Sequence, residues 1–301
     1  DEYMHTNVDG IWAVGDAIAV KHFVSGEQTI IPLASPANKQ ARIVADNIKG
    51  RKVKYNGTQG TSIAKVFDMT VASTGLTEKD CIRLGIDYHK SFSATNSHAG
   101  YYPGPTMMTV KLLYTKDEGK VLGGQIVGYK GVDKRIDILA VAIRAGMTVF
   151  DLHQLELAYA PPFSSAKDPI NMAGYVGENV VLGESKIATF EEVMAMGDEV
   201  IKLDVRTEAE CAKGMVPGFI NIPLHLLRER YTELDKSKPV YIHCQSGLRA
   251  YVGERILSNL GFNCYNIFGS WMWYNMWQAD LQAKAAENEI TSNCARPEFN
   301  A

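Results

Sequence analysis

The stretch YIHCQSGLRA, residues 241–250, decides how this chain is read. An apolar, strand-forming run, Pro239 to Ile242, leads into Cys244; a short polar loop containing Gly247 follows, and Arg249 opens a segment with helical character, Ala250 to Leu260. The order predicts a cysteine at the carboxyl end of a strand, facing the start of a helix. Successive backbone N–H groups and the positive end of that helix would both favour an anion there. A thiol needs such surroundings, and a nearby cation such as Arg249, to ionise below its ordinary value of about 8.5. The alternative for Cys244 is a small buried hydrophobe, a frequent fate of free cysteine.

Residues on either side enlarge the pattern. Leu203-Asp204-Val205-Arg206-Thr207 and Gly214-Met215-Val216-Pro217-Gly218-Phe219-Ile220-Asn221-Ile222-Pro223 lie upstream, and Asn266-Ile267-Phe268-Gly269-Ser270-Trp271 lies downstream. In order and spacing, residues 183–285 resemble a rhodanese domain. The resemblance implies a parallel α/β fold with Cys244 as catalytic cysteine, Arg249 as its partner, and Gln245, Ser246, Gly247 and Leu248 as the loop holding a persulfide. Two positions depart from the family pattern: Met215 stands where His is common, and Ser270 where a second Gly is usual. Cysteine phosphatases space their cysteine and arginine as Cys-x5-Arg, whereas here the spacing is Cys-x4-Arg; the smaller ring suits a sulfur carrier better than a phosphate. Displacement at sulfur is the elementary step of such a carrier.

Length and composition set outer bounds. The 301 residues suit two or three domains. With 46% hydrophobic and 22% charged residues the chain has ordinary globular composition, and a net charge of -3 gives no sign of nucleic-acid binding. No apolar run approaches the roughly 20 residues of a membrane span, so a cytoplasmic setting without membrane association is expected. Cys81, Cys211, Cys244, Cys264 and Cys294 form no CxxC pair, and the seven histidines, His153 among them, show no ligand spacing, so no metal is expected.

Near the start, Thr6-Asn7-Val8-Asp9-Gly10-Ile11-Trp12-Ala13-Val14-Gly15-Asp16 reads as a polar turn, then a short strand ending at Gly-Asp. Gly15 permits close backbone approach and Asp16 offers acceptors to hydroxyls, although a surface turn after a core strand explains the same residues. The stretch resembles the second flavin signature of the pyridine nucleotide-disulfide oxidoreductases, which implies that Gly15 and Asp16 contact FAD. The following helix, opening at Pro32 to Gln40 and running to about Ile48, would aim its N-terminus at the flavin, with Leu33, Ala34 and Asn38 as further cofactor contacts. No G-x-G-x-x-G occurs, although that family uses such turns for FAD and NAD(P)H. The expectation is therefore a C-terminal portion of a larger flavoenzyme, in which NADH and NADPH preference is not legible.

Strand-like runs at Ile63 to Ala72, Thr109 to Tyr114 and Val121 to Tyr129, a helix capped by Thr77, and another opening at Asp133 describe a separate unit. It resembles that family's interface domain, implying a homodimer. Glutathione-reductase-like members carry a His-Pro near its end; here Leu157 to Pro169 contains no histidine, which resembles the single-cysteine branch of coenzyme A-disulfide reductases, NADH oxidases and persulfide or polysulfide reductases. Coenzyme A as substrate or ligand is implied, with Tyr159 and Tyr101 at the substrate; packing is the alternative role for both tyrosines. Trp271, Trp273 and Trp277 read as packing beside the sulfur loop, or as a surface for a bulky acceptor.

The whole is an α/β and α+β multidomain chain. The end of an FAD-binding domain spans 1–55, a dimerisation domain 56–178, a rhodanese-like domain 179–285 and a loose tail 286–301, with residues 174–189 as connection. The expected function is FAD- and NAD(P)H-dependent reduction of coenzyme A disulfide, coenzyme A persulfide or polysulfide, the substrates being small thiols, disulfides or persulfides. An NADH oxidase reducing oxygen or peroxide, and a non-catalytic dimerisation and sulfur-binding module, are the alternatives.

Overall fold

The computed structural model describes residues 1–293, so Cys294 lies outside the described residues. It divides into two compact units, Asp1–Val181 and Leu182–Ala301. Among the described residues no helix is long and apolar enough to cross a membrane.

In the first unit the helix Ala34–Ile48 follows a two-stranded hairpin, Val20–Lys21 with Gln28–Thr29. Beyond it lies a five-stranded antiparallel sheet in the order Ser62–Val66, Met69–Gly75, Val121–Gly128, Met107–Tyr114, His89–Asn96. One face packs on the helix Val132–Ala145, where Ile136, Leu139 and Ile143 meet Val110, Leu112 and Ile126. Each such fully buried side chain contributes roughly 1.5–3 kcal/mol. Thr77 and Thr148 cap their helices through reciprocal bonds with Asp80 and Asp151, so these boundaries are written locally.

Three local expectations are corrected here. Ile63 to Ala72 is two strands, not one: the chain reverses at Phe67-Asp68, with Phe67 in a left-handed conformation (φ 51°) and almost wholly exposed. The strand His89–Asn96 was not expected, because its polar residues hide a pairing with all of Met107–Tyr114. The connector expected over 174–189 begins later, because its first part, from Gly174 to Val181, belongs to the helix Pro169–Val181 and the two units divide after it. A Cβ on Gly174 would lie 2.6 Å from the His153 backbone nitrogen. The glycine permits close helix packing, and reading it as a breaker mistook contact for flexibility.

The second unit is a parallel sheet in the order Ile220–Asn221, Ile201–Asp204, Val240–His243, Cys264–Ile267, Ile187–Ala188. All four residues of the central strand Val240–His243 are buried, as expected when helices cover both faces. The crossover helix Leu248–Asn259 packs Ala250, Ile256 and Leu257 onto it. The last helix, Ser270–Asn293, continues past Ala285, where a loose end was expected. Its Ala283-Lys284-Ala285-Ala286 segment has high helix propensity, and Lys284 meets Asp280 one turn earlier at 2.6 Å.

Candidate functional site

Cys244 directly follows the central strand, at the carboxyl end of the parallel sheet where α/β folds place their ligand sites. Its side chain is 1% exposed, yet Gly247 N–H donates to its Sγ at 3.2 Å. Gly247, at φ 120°, is the N-cap of the helix Leu248–Asn259 and has no capping side chain. The first amides of that 12-residue helix follow without a side-chain cap. A buried apolar thiol is therefore an incomplete description, since the burial includes directed donors.

Arg249 does not stand free beside the sulfur. Its guanidinium forms a two-pronged ion pair with Glu210, at 2.7 Å and 2.6 Å. The Glu210 carboxylate raises the Arg249 pKa, with a smaller contribution from Cys244. Arg249 in turn holds the Glu210 carboxyl down at about 2, assisted by the Thr207 N–H and hydroxyl. Glu210 escaped the sequence reading. Its one local signal is Thr207-x-x-Glu210, a capping box at the helix Glu208–Cys211, and that signal says nothing about an arginine 39 residues away.

Beneath the loop lies a buried polar floor. Asp204 pairs in register with His243, accepts from the Arg206 guanidinium at 2.7 Å, and lies 3.3 Å from His243 Nε2. Burial pushes the Asp204 carboxyl up, but the bonds from His243 and Arg206 outweigh it and hold the group well below the usual range. The Arg206 guanidinium lies over the Trp271 ring at 4.2 Å, and the Trp271 amide donates to Cys244 O at 2.9 Å. Trp271, Trp273 and Trp277 all pack against the Phe190 and Phe219 cluster. Ser270 also escaped prediction as a contact: its Oγ accepts from the Cys244 N–H at 3.0 Å.

In the first unit, Tyr101 and Tyr159 meet with their hydroxyls 3.0 Å apart. They are 76% and 46% exposed, so neither is a core residue of this chain. The hydrogen bond shared with Tyr101 raises the Tyr159 pKa. Buried Arg135 explains why the two loops meet. It donates to Ser97 O near Tyr101, to Ser164 Oγ near Tyr159, and to both oxygens of Asp168. The Ala99 N–H to Ser164 O bond at 2.9 Å completes the fastening.

The cofactor residues expected near the start also converge. Gly15 begins a single 3-10 turn, and its N–H donates to buried Gln40 at 2.7 Å, fixing the Gly15-Asp16 turn to the helix Ala34–Ile48. Leu33 caps that helix without a side-chain bond, leaving its first amides open, and the Asp16 carboxylate is exposed. Ala34 is exposed, whereas the Asn38 side chain donates back to Ala34 O at 2.8 Å. Open helix-start donors next to an exposed carboxylate fit the phosphate and hydroxyl groups of a dinucleotide such as FAD.

Residues 61–169 match the family described as "Pyridine nucleotide-disulphide oxidoreductase, dimerisation domain", and residues 189–276 match the rhodanese-like domain. The crystal structure of reduced Bacillus anthracis CoADR-RHD is 48% identical, with a TM-score of 0.87, over 91% of this chain and 50% of that one. The NAD-dependent persulfide reductase from A. fulgidus is 36% identical, with a TM-score of 0.84 and the same two coverages. The NAD(P)H sulfur oxidoreductase (CoA-dependent) of Pyrococcus furiosus is 37% identical over 170 residues, 56% of this chain and 38% of that protein. The chain thus spans half or less of the length of these relatives. It joins in one polypeptide a dimerisation domain of the pyridine nucleotide-disulphide oxidoreductases and a rhodanese-like domain, and it is similar along 91% of its length to a CoADR-RHD and to a persulfide reductase.

Proposed function

We propose that this chain is part of an FAD- and NAD(P)H-dependent reductase of coenzyme A disulfide, coenzyme A persulfide or polysulfide, acting as a homodimer. In it Cys244 carries sulfane sulfur as a persulfide. The observation that carries the reading is the Gly247 N–H donated to Cys244 Sγ at the open start of a helix.

In the sulfur-loading step the Cys244 thiolate attacks the outer sulfur of a donor R–S–SH. The Cys244 S–S bond forms as the donor S–S bond breaks, and R–S⁻ leaves to be protonated as a thiol. Two electrons and a proton then cleave the Cys244 persulfide to thiolate and hydrogen sulfide, directly or after its outer sulfur has passed to a coenzyme A thiolate. Gly247 and the amides of Leu248 and Arg249 hold the negative charge, and the loop residues Gln245 and Ser246 shape the turn around it. Gly15, Asp16, Leu33, Ala34 and Asn38 would hold FAD, which when bound relays the electron pair of NAD(P)H to sulfur. Tyr159, positioned beside Tyr101, donates a proton to a departing coenzyme A thiolate.

The test is polysulfide- and coenzyme A persulfide-dependent NAD(P)H oxidation by the full-length protein with Cys244→Ser. Loss of persulfide reduction with coenzyme A disulfide reduction retained is expected; full retention of both would remove Cys244 from the reaction. Oxygen consumption measured alongside separates this reading from an oxidase.

A further inference from the structure

Ser270 occupies a conformation that a serine seldom takes. Its φ is 53°, directly after Gly269 at φ 65°, so two successive residues are left-handed and the second carries a Cβ. Glycine suits such a position and a side chain there is strained. Strain of this kind persists where surrounding contacts hold it, and it collects at functional sites. Here the contacts are explicit. Ser270 is fully buried, and its Oγ accepts the Cys244 N–H at 3.0 Å. The hydroxyl proton has two acceptors within reach, Ile267 O at 3.5 Å and Cys244 Sγ at 3.7 Å.

A neutral thiol is a weak acceptor, whereas a thiolate or persulfide anion is a strong one. When sulfur is anionic, the proton turns from the Ile267 carbonyl to Sγ while the Cys244 N–H to Oγ bond stays in place. Gly247 N–H already reaches the same sulfur at 3.2 Å. We propose that Ser270 is a positioning residue of the sulfur site, its hydroxyl supplying the Cys244 anion with a second hydrogen bond in addition to the amide of Gly247. Glycine at this position would fit the backbone better and lack that bond.

This inference rests on the reading of Cys244 as the sulfur carrier, but its test does not depend on turnover. The full-length protein, as wild type and with Ser270→Gly or Ser270→Ala, is labelled with iodoacetamide across pH 5–9, and a peptide map quantifies Cys244. Ser270→Gly relieves the left-handed strain and is expected to melt no lower than wild type. Both variants should shift the labelling profile to higher pH and reduce labelling at pH 7 about tenfold or more, the scale of one hydrogen bond to a charged group. An unchanged profile in Ser270→Gly overturns the inference. So does a shift confined to Ser270→Gly with Ser270→Ala unchanged, which would trace the effect to loop freedom rather than the hydroxyl. The Cys244→Ser turnover result bears on sulfur carriage alone, so the two failures are distinguishable.

Discussion

The hydroxyls of Tyr101 and Tyr159, 58 residues apart in sequence, lie 3.0 Å from each other on the exposed side of two loops joined by Arg135. The bond orients both phenols, and whichever accepts in it keeps its own proton free to donate outward. Tyr159→Phe in the full-length protein is expected to lower kcat for coenzyme A disulfide about 10²-fold, the low end for a lost proton donor. Sulfur loading on Cys244, followed by cyanide-releasable sulfur, should be unchanged. Equal loss in both assays would show that the tyrosine acts through folding.

Arg135 and Asp168 are each about 1% exposed and joined at 2.8 Å. Asp168→Asn would leave a buried guanidinium without its counter-charge, at a cost of about 3–5 kcal/mol. Arg135→Lys keeps the charge but cannot reach Ser97, Ser164 and Asp168 together. Urea unfolding should show the loss for Asp168→Asn, and Arg135→Lys should raise KM for coenzyme A disulfide as the tyrosine loops separate.

Glu210 is the counter-charge of Arg249, so removing it should make the sulfur loop more cationic. Glu210→Gln preserves the capping box with Thr207. Iodoacetamide labelling of Cys244 at pH 6 should then rise several-fold, and Arg249→Ala should lower it. Slower labelling in Glu210→Gln would mean that the pair serves to hold the loop's shape rather than to moderate its charge.

Buried Glu254 accepts from the Ser185 hydroxyl at 2.6 Å and the Lys186 amide at 2.8 Å. Burial pushes its carboxyl up to about 7, with Ser185, the Lys186 amide, and the charges of Arg255 and Lys186 limiting the rise. A carboxyl whose pKa is higher folded than unfolded favours the fold fully below the unfolded value of about 4.5, and that contribution is lost as pH rises through 7. The rhodanese-like unit should therefore lose stability, on the order of 2–3 kcal/mol, between pH 5 and pH 8. Glu254→Gln, whose oxygen accepts from the Lys186 amide and whose NH2 donates to Ser185 Oγ, should flatten the melting temperature across that range.

Some of this was written locally in the chain. Alternating and continuous apolar runs placed the strand before Cys244 and the strands near Val110 and Ile126, and Thr77 marked a helix start, because these signals act over a few residues. Ordered motifs around Asp204, Asn221, Cys244 and Gly269 carried the sulfur site. The polar strand His89–Asn96 and the helix across Gly174 were not legible, since a partner strand in one case and close packing in the other override local preference.

The sequence by itself singled out the candidate residues: a cysteine before a helix, a Gly-Asp turn, and two tyrosines on glycine- and proline-rich loops. Tertiary structure alone decided how those residues are tuned. It pairs Arg249 with Glu210, brings Tyr101 to Tyr159 through Arg135, and folds Ser270 under Cys244. Hydrogen bonds and ion pairs depend on separations of a few ångströms between segments tens of residues apart, and no local pattern encodes those separations.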